Sequence, residues 1–313
     1  MSKLFKMSFW QRFAVAGAPL VCATALSACV SAHSQEAHNV MERTAAPEAC
    51  EAEQLGEDAQ ATGYRDTPLV PGTKWRVHDI DRPKPEVVGA RAVSAAPPSD
   101  AIILLGDDMS AWRSVAGGDV DWSVSQGVAT IPDDLQDDGQ KKPDHKNSTI
   151  QTKQEFGDVQ LHVEWRAPPE RKSNSQWRGN SGIIFMGRYE VQVLDSHCND
   201  TYADGQAASL YGWKPPLVNA SVPAGQWQSY DIVFEAPRWN DAGELMKKAR
   251  ATVFHNGVLV QNAQPFLGKA AWRAVSNYDE VHGPKAPLHI QDHDSAVSFR
   301  NIWIRELNLK ANN

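Results

Sequence analysis

Thr252-Val253-Phe254-His255-Asn256-Gly257-Val258-Leu259-Val260 reads as two short strands joined by a two-residue turn. Asn-Gly is the pair that best tolerates positive φ at both central positions of a hairpin turn, and β-branched residues flank it on both sides. The same texture extends outward over the C-terminal two thirds of the chain. Short alternating runs fall at Ala101–Leu105, Trp122–Ser125, Val128–Ile131, Ser148–Thr152, Asp158–Arg166 and Gly182–Met186. They continue at Tyr189–Leu194, Trp227–Glu235, Ala251–Phe254, Val258–Gln261, Leu288–Gln291 and Val297–Glu306, with turn residues such as Gly117-Gly118 and Asp292-His293-Asp294-Ser295 between runs. Many short strands with scant helical periodicity and no internal repeat predict an all-β sandwich of two sheets over residues 100–309.

The chain has 313 residues and a formal charge of −7, from 31 Lys plus Arg against 38 Asp plus Glu, which argues against a nucleic-acid partner. It carries 11 Trp but only 6 Tyr and 9 Phe, a surplus that serves equally as core filling or as platforms for sugar rings. Residues 64–99 hold repeated prolines around the strand-like island Trp75-Arg76-Val77-His78, and predict an irregular extension laid over the domain. Residues 30–63, rich in Ala, Glu and Gln, read as a flexible tether.

Residues 1–29 begin with Lys3, Lys6 and Arg12 and continue through an apolar stretch too short to span a bilayer comfortably. They end in Leu26-Ser27-Ala28-Cys29, which resembles the lipobox of bacterial lipoproteins. That resemblance implies export, lipidation at Cys29, attachment to the membrane through the lipid alone, and an outer-membrane or periplasmic location in a Gram-negative cell. The remaining Cys50 and Cys198 match no zinc pattern, and a bridge between them is left open.

Side chains two apart on a strand share a face. His162, Glu164 and Arg166 form one polar set, opposed by Leu161, Val163 and Trp165; Arg188, Glu190 and Gln192 form another, opposed by Tyr189, Val191 and Val193. His289, Gln291 and His293 share parity near the C-terminus. These types suit a hydrogen-bonding site for a sugar better than a merely solvated face. Glu190-Val191-Gln192-Val193-Leu194-Asp195 resembles the catalytic strand of laminarinase-like glycosidases, but with Gln at the middle position and the shorter Asp at the last. On a plain strand Glu190 and Asp195 would lie roughly 16 Å apart, against the about 5–5.5 Å of a retaining carboxylate pair. Ordinary glycoside hydrolysis is therefore disfavoured.

Gly179-Asn180-Ser181-Gly182-Ile183, the run Gly187–Ser196, Tyr202-Ala203-Asp204-Gly205-Gln206, Pro215–Ala220, Tyr230–Phe234, Val253–Gly257, Gln291-Asp292-His293 and Phe299–Arg305 occur in order. Together they resemble the 3-keto-disaccharide hydrolase family, also described as 3-keto-glucoside 1,2-lyase/3-keto-2-hydroxy-glucal hydratases. Leu104-Leu105-Gly106-Asp107 departs from the family's usual Phe-Asp-Gly. The resemblance implies a concanavalin A-like jelly roll and a lyase, or a lyase and hydratase, that acts on 3-keto sugars supplied by a sugar 3-dehydrogenase. Such chemistry needs a base for the C2 proton, an acid for the departing oxygen and a donor at the enolate oxygen. The residue assignments that follow are Glu190 or His293 as base and Asp195 as acid or cation ligand. Arg188 and Gln291 face the enolate or ring hydroxyls, with Gln192, Glu164, Arg166 and His197 as further substrate contacts and Tyr211 and Trp213 as the aromatic floor. Glu190, Asp292 and His293 form a candidate set for a divalent cation (Ca, Mn or Zn); no nucleotide cofactor is expected. The rival reading is a non-catalytic carbohydrate-binding module.

Overall fold

The computed structural model describes residues 61–134, 142, 146–170 and 174–309. The expected signal segment, Cys29 and the tether through residue 60 lie outside the described residues.

Two antiparallel sheets face each other across an apolar core. The larger contains β1 (Ile102–Leu105), β3 (Ser123–Ser125), β4 (Val128–Thr130), β6 (Val159–Arg166), β9 (Gln228–Glu235), β12 (Arg250–His255), β13 (Val258–Pro265) and β15 (Ser298–Glu306). Its order is β13-β12-β9-β6-β15-β4-β3, and β1 also pairs with β15. The smaller sheet runs β2 (Trp112–Ser114), β5 (Ile150–Phe156), β14 (Ala286–Ile290), β7 (Ser181–Phe185) and β8 (Tyr189–Val193), in that order. A short ribbon, β10 (Arg238–Trp239) with β11 (Leu245–Lys247), stands apart from both. All-β architecture and a sandwich of antiparallel sheets thus agree with the alternation of the sequence.

The hairpin that signalled the fold forms as expected. Asn256 and Gly257 adopt φ of 52° and 78°, and His255 pairs with Val258 across the turn. The core lies between the apolar faces: Leu161, Val163 and Trp165 from β6, Ile232 and Phe234 from β9, Ile183 and Phe185 from β7, Val191 and Val193 from β8. Phe185 stacks on Phe234 across the two sheets at 4.4 Å, and Tyr230 reaches over to donate to the Gln192 carbonyl at 2.8 Å. Trp112, Trp122, Trp165 and Trp303 are all buried, so part of the tryptophan surplus is core filling.

The Pro-rich extension is laid over the domain and bonded to it. Val88 N–H donates to the Asn219 carbonyl and Asn219 N–H to that of Glu86. Further along, Val93 N–H donates to Ser229 Oγ, Ser94 Oγ to Glu164 Oε1, and both Asn301 Nδ2 and Trp303 Nε1 to the Ala95 carbonyl. This covers the polar face of β6. Glu164 is buried there, also accepting from Arg300 Nε at 2.7 Å and Asn301 Nδ2 at 2.8 Å.

Candidate active site

The second polar set opens onto space. Register carries one row of side chains across the smaller sheet: Arg113, Gln151, His289, Ile184 and Glu190 pair in sequence from β2 to β8. The adjoining row joins Gln291, Gly182 and Gln192, since Gln291 N–H donates to the Gly182 carbonyl and Gly182 pairs with Gln192. Over this face lies a cavity of about 560 Å³, within the range of small-molecule sites. Glu190, Gln192, Arg188, Gln291, His293 and Tyr211 all line it.

Glu190 is the single acidic residue among the lining residues, and it is only 6% exposed. Among the described residues no hydrogen bond reaches its carboxyl group. Burial alone raises its pKa to about 8, because nothing compensates for the lost solvation of the charged form. Gly182 makes the room: a Cβ there would lie 2.5 Å from Glu190 Oε1. Gln192 is held by donating to Gln176 Oε1 and Asn180 Oδ1, so its amide is a fixed dipole beside Glu190. Tyr211 donates to or accepts from Tyr202 at 3.0 Å, and burial, together with the nearby Glu190 charge, pushes the Tyr211 phenol up.

The extension supplies part of this wall. Tyr64 lines the cavity, and so does Ala61, near the end of the stretch read as a tether. Behind it, His78 is fully buried at φ 55°, its ring tilted against Tyr202 at 4.0 Å and near Tyr211 at 5.0 Å. Its N–H donates to Asp204 Oδ2, and its Nδ1 lies 3.4 Å from Asp204 Oδ1.

Several residues expected at the site are elsewhere. Asp195 is buried in an ion pair with Arg178, at 2.6 Å, and does not line the cavity; Arg178 Nη2 also donates to the His197 carbonyl, holding that segment in place. Cys198, next along, is disulfide-bonded, its partner lying outside the described residues. Trp213 turns its Nε1 to the Pro265 carbonyl and is no part of the cavity floor. Glu164 and Arg166 belong to the other sheet, where Arg166 lies over the Trp227 ring at 4.7 Å. Parity reports which residues share a face, but it cannot say which of two faces another segment will cover.

Asp292 does not join Glu190 and His293 in a cation set. Its Oδ2 accepts from Ser148 N–H and its Oδ1 from Asp294 N–H, as a turn-forming Asp does, and burial raises its pKa. Among the described residues no group of three or more His, Cys, Asp or Glu is gathered as a metal site would gather them.

Gln176, Trp177, Asn180, Lys269 and Trp272 line the cavity without having been expected there. Asn180 lay within a family motif, and the tryptophan surplus signalled platforms without saying which; Trp177 and Trp272 sit in segments with no strand periodicity to aim them.

With this geometry in place, comparison with known proteins decides the family. The model of the 3-keto-alpha-glucoside-1,2-lyase-like domain matches residues 100–305. The chain belongs to that family. A candidate glycosyl hydrolase from Parabacteroides distasonis ATCC 8503, known as a crystal structure, is 39% identical, with a TM-score of 0.62; the alignment covers 76% of this chain and 100% of the other. A second from the same strain is 19% identical over 66% of this chain and 94% of its own, with a TM-score of 0.47. The comparison with curated proteins finds no match. Family and fold together make this a carbohydrate-active enzyme of the 3-keto-alpha-glucoside-1,2-lyase-like family.

Proposed function

We propose that the enzyme cleaves 3-keto-glucosides and 3-keto-disaccharides by elimination, with Glu190 as the base. One observation carries the reading: among the described residues a single carboxylate lines the cavity, with Gln192 beside it on the same face. Two-carboxylate hydrolysis needs a partner at a set distance, whereas elimination next to a ketone needs one well-placed base. A carboxylate with its pKa raised to about 8 is a stronger base than an ordinary one.

In the proposed step Glu190 takes the C2 proton, and the C–H electrons move into an enolate with the C3 oxygen. The enolate then collapses: the C1=C2 bond forms, the ketone returns, and the C1–O bond breaks with its electrons leaving on the aglycone oxygen. His293, on the same cavity, delivers the proton that oxygen requires. Arg188 and Gln291 face the developing enolate charge, where one donor is worth roughly 3 kcal/mol. Addition of water across C1=C2 gives the free 3-keto sugar. The substrate must come from a dehydrogenase that oxidises C3.

The test pairs a nitrophenyl 3-keto-glucoside with its unoxidised parent, with and without chelator. Release from the keto sugar alone, slowed by deuterium at C2, is expected. Equal release from the parent sugar would make the protein a hydrolase, and binding without release would make it a binding module. We further infer export and lipidation at Cys29, on the character of residues 1–29; Cys29→Ser should abolish incorporation of labelled fatty acid.

A further inference from the structure

We propose that Trp272 and Tyr64 form a leaving-group subsite at the mouth of the cavity, taking a ring with an apolar face: the second sugar of a disaccharide or an aryl aglycone. The proposal rests on the elimination reading above and names the part of the substrate that reading leaves open.

Trp272 lines the cavity yet is 64% exposed, as a residue at its opening would be. An indole left that open forgoes the burial that normally makes tryptophan stabilising. Its orientation is nevertheless set from below, by the Tyr64 ring at 6.4 Å and 85°, an edge-to-face contact. The next residue, Arg273, takes a left-handed φ of 53°. Its guanidinium lies over Tyr64 at 4.2 Å, and Nη2 reaches both oxygens of Asp66 at 2.7 Å. On the other side Ala270 N–H donates to the Arg188 carbonyl at 2.7 Å. The platform is thus fastened both to the extension and to the turn that carries Arg188.

Position along the cavity decides which part of the substrate meets it. Glu190 is at the buried end, 6% exposed, and the ring that loses its proton must sit there. The group expelled from the neighbouring carbon then points toward the open end, where Trp272 and Tyr64 stand. Tyr64 and Asp66 precede residue 100, so this subsite draws on residues outside the family-matched region.

The full-length chain and its Trp272→Ala variant should be compared on three 3-keto-glucosides, with a methyl, a glucosyl and an aryl leaving group. The expected result is a fall of about tenfold in kcat/KM for glucosyl relative to methyl, or for aryl relative to methyl, the size of one aromatic contact. Whichever ratio falls names the occupant. Trp272→Phe, which keeps a ring face, should recover most of it, and Asp66→Ala should show a smaller fall through loss of the Arg273 anchor. Ratios that stay put in Trp272→Ala would overturn the subsite. If the wild-type chain cleaves none of the three, the elimination reading fails by itself. The subsite is then judged by binding: tighter binding of the glucosyl or aryl compound than of the methyl one, lost in Trp272→Ala, sustains it, and equal binding by both chains removes it.

Discussion

Glu164 and Glu190 occupy equivalent positions in two polar strand faces, each buried, and their environments differ in kind. Glu164 is met by Ser94, Arg300 and Asn301. Burial works to raise its pKa, but those three hydrogen bonds outweigh it and hold the carboxyl below its ordinary range. No such donors reach Glu190, and burial pushes it to about 8. One charge has been folded into the scaffold; the other is kept poor in partners at the foot of a cavity. The comparison shows that two buried carboxylates with the same strand pattern acquire opposite proton affinities from what is arranged around them, not from their strand or their neighbours in sequence.

The sharpest way to break this comparison is to neutralise each carboxyl in turn. Glu190→Gln should lower kcat on a 3-keto-glucoside by ~10²–10⁴-fold with no loss of thermal stability. Glu164→Gln should leave turnover in place while costing about 1.5–3 kcal/mol in denaturant unfolding. A reversed pattern would move the chemistry to the larger sheet, which carries Glu164.

The two carboxyls should also respond oppositely to pH. The folded state holds the Glu190 proton up to about 8, so its contribution is complete below the unfolded pKa of about 4.3 and is lost as pH rises toward 8. That loss is at most about 1.4 kcal/mol per pH unit, and Glu190→Gln should flatten it. Glu164 is lowered, so its contribution is present above the unfolded value and is lost as pH falls through its folded pKa. For catalysis, kcat/KM should rise as pH approaches about 8 and Glu190 becomes able to accept a proton. A profile falling over that range would make Glu190 the acid.

Smaller effects refine the picture. Gly182→Ala drives a methyl group against Glu190 Oε1 and should cost about 1–3 kcal/mol, together with activity, because the carboxyl must move. Ser94→Ala removes one of the hydrogen bonds to Glu164 and should cost about 1 kcal/mol without touching turnover.

Much of this was legible in the sequence where a residue acts through its own strand. All twelve runs read as strands overlap observed ones, and the Asn256-Gly257 turn forms with the register its chemistry requires. Three short strands, β2, β10 and β11, were missed; they are two or three residues long and alternate too briefly to register. Within the site, Arg188, Glu190 and Gln192 were found by parity, whereas Glu164 and Arg166 had the same parity signal and a different fate. What separated them was a contact between Ser94 and Glu164, 70 residues apart, which no local pattern encodes. Asp195 looked like a second carboxylate until Arg178, from a segment without strand periodicity, was placed against it.

The Pro-rich extension bears on where this protein can be cut. The family model's match begins at residue 100. A fragment begun there would lose Ser94 from Glu164, Tyr64 from the cavity wall and His78 from behind Tyr202, so it would be at once less stable and open on one side. The family model's bounds are therefore no guide to where this chain can be shortened, since residues 61–99 supply contacts that the matched stretch uses.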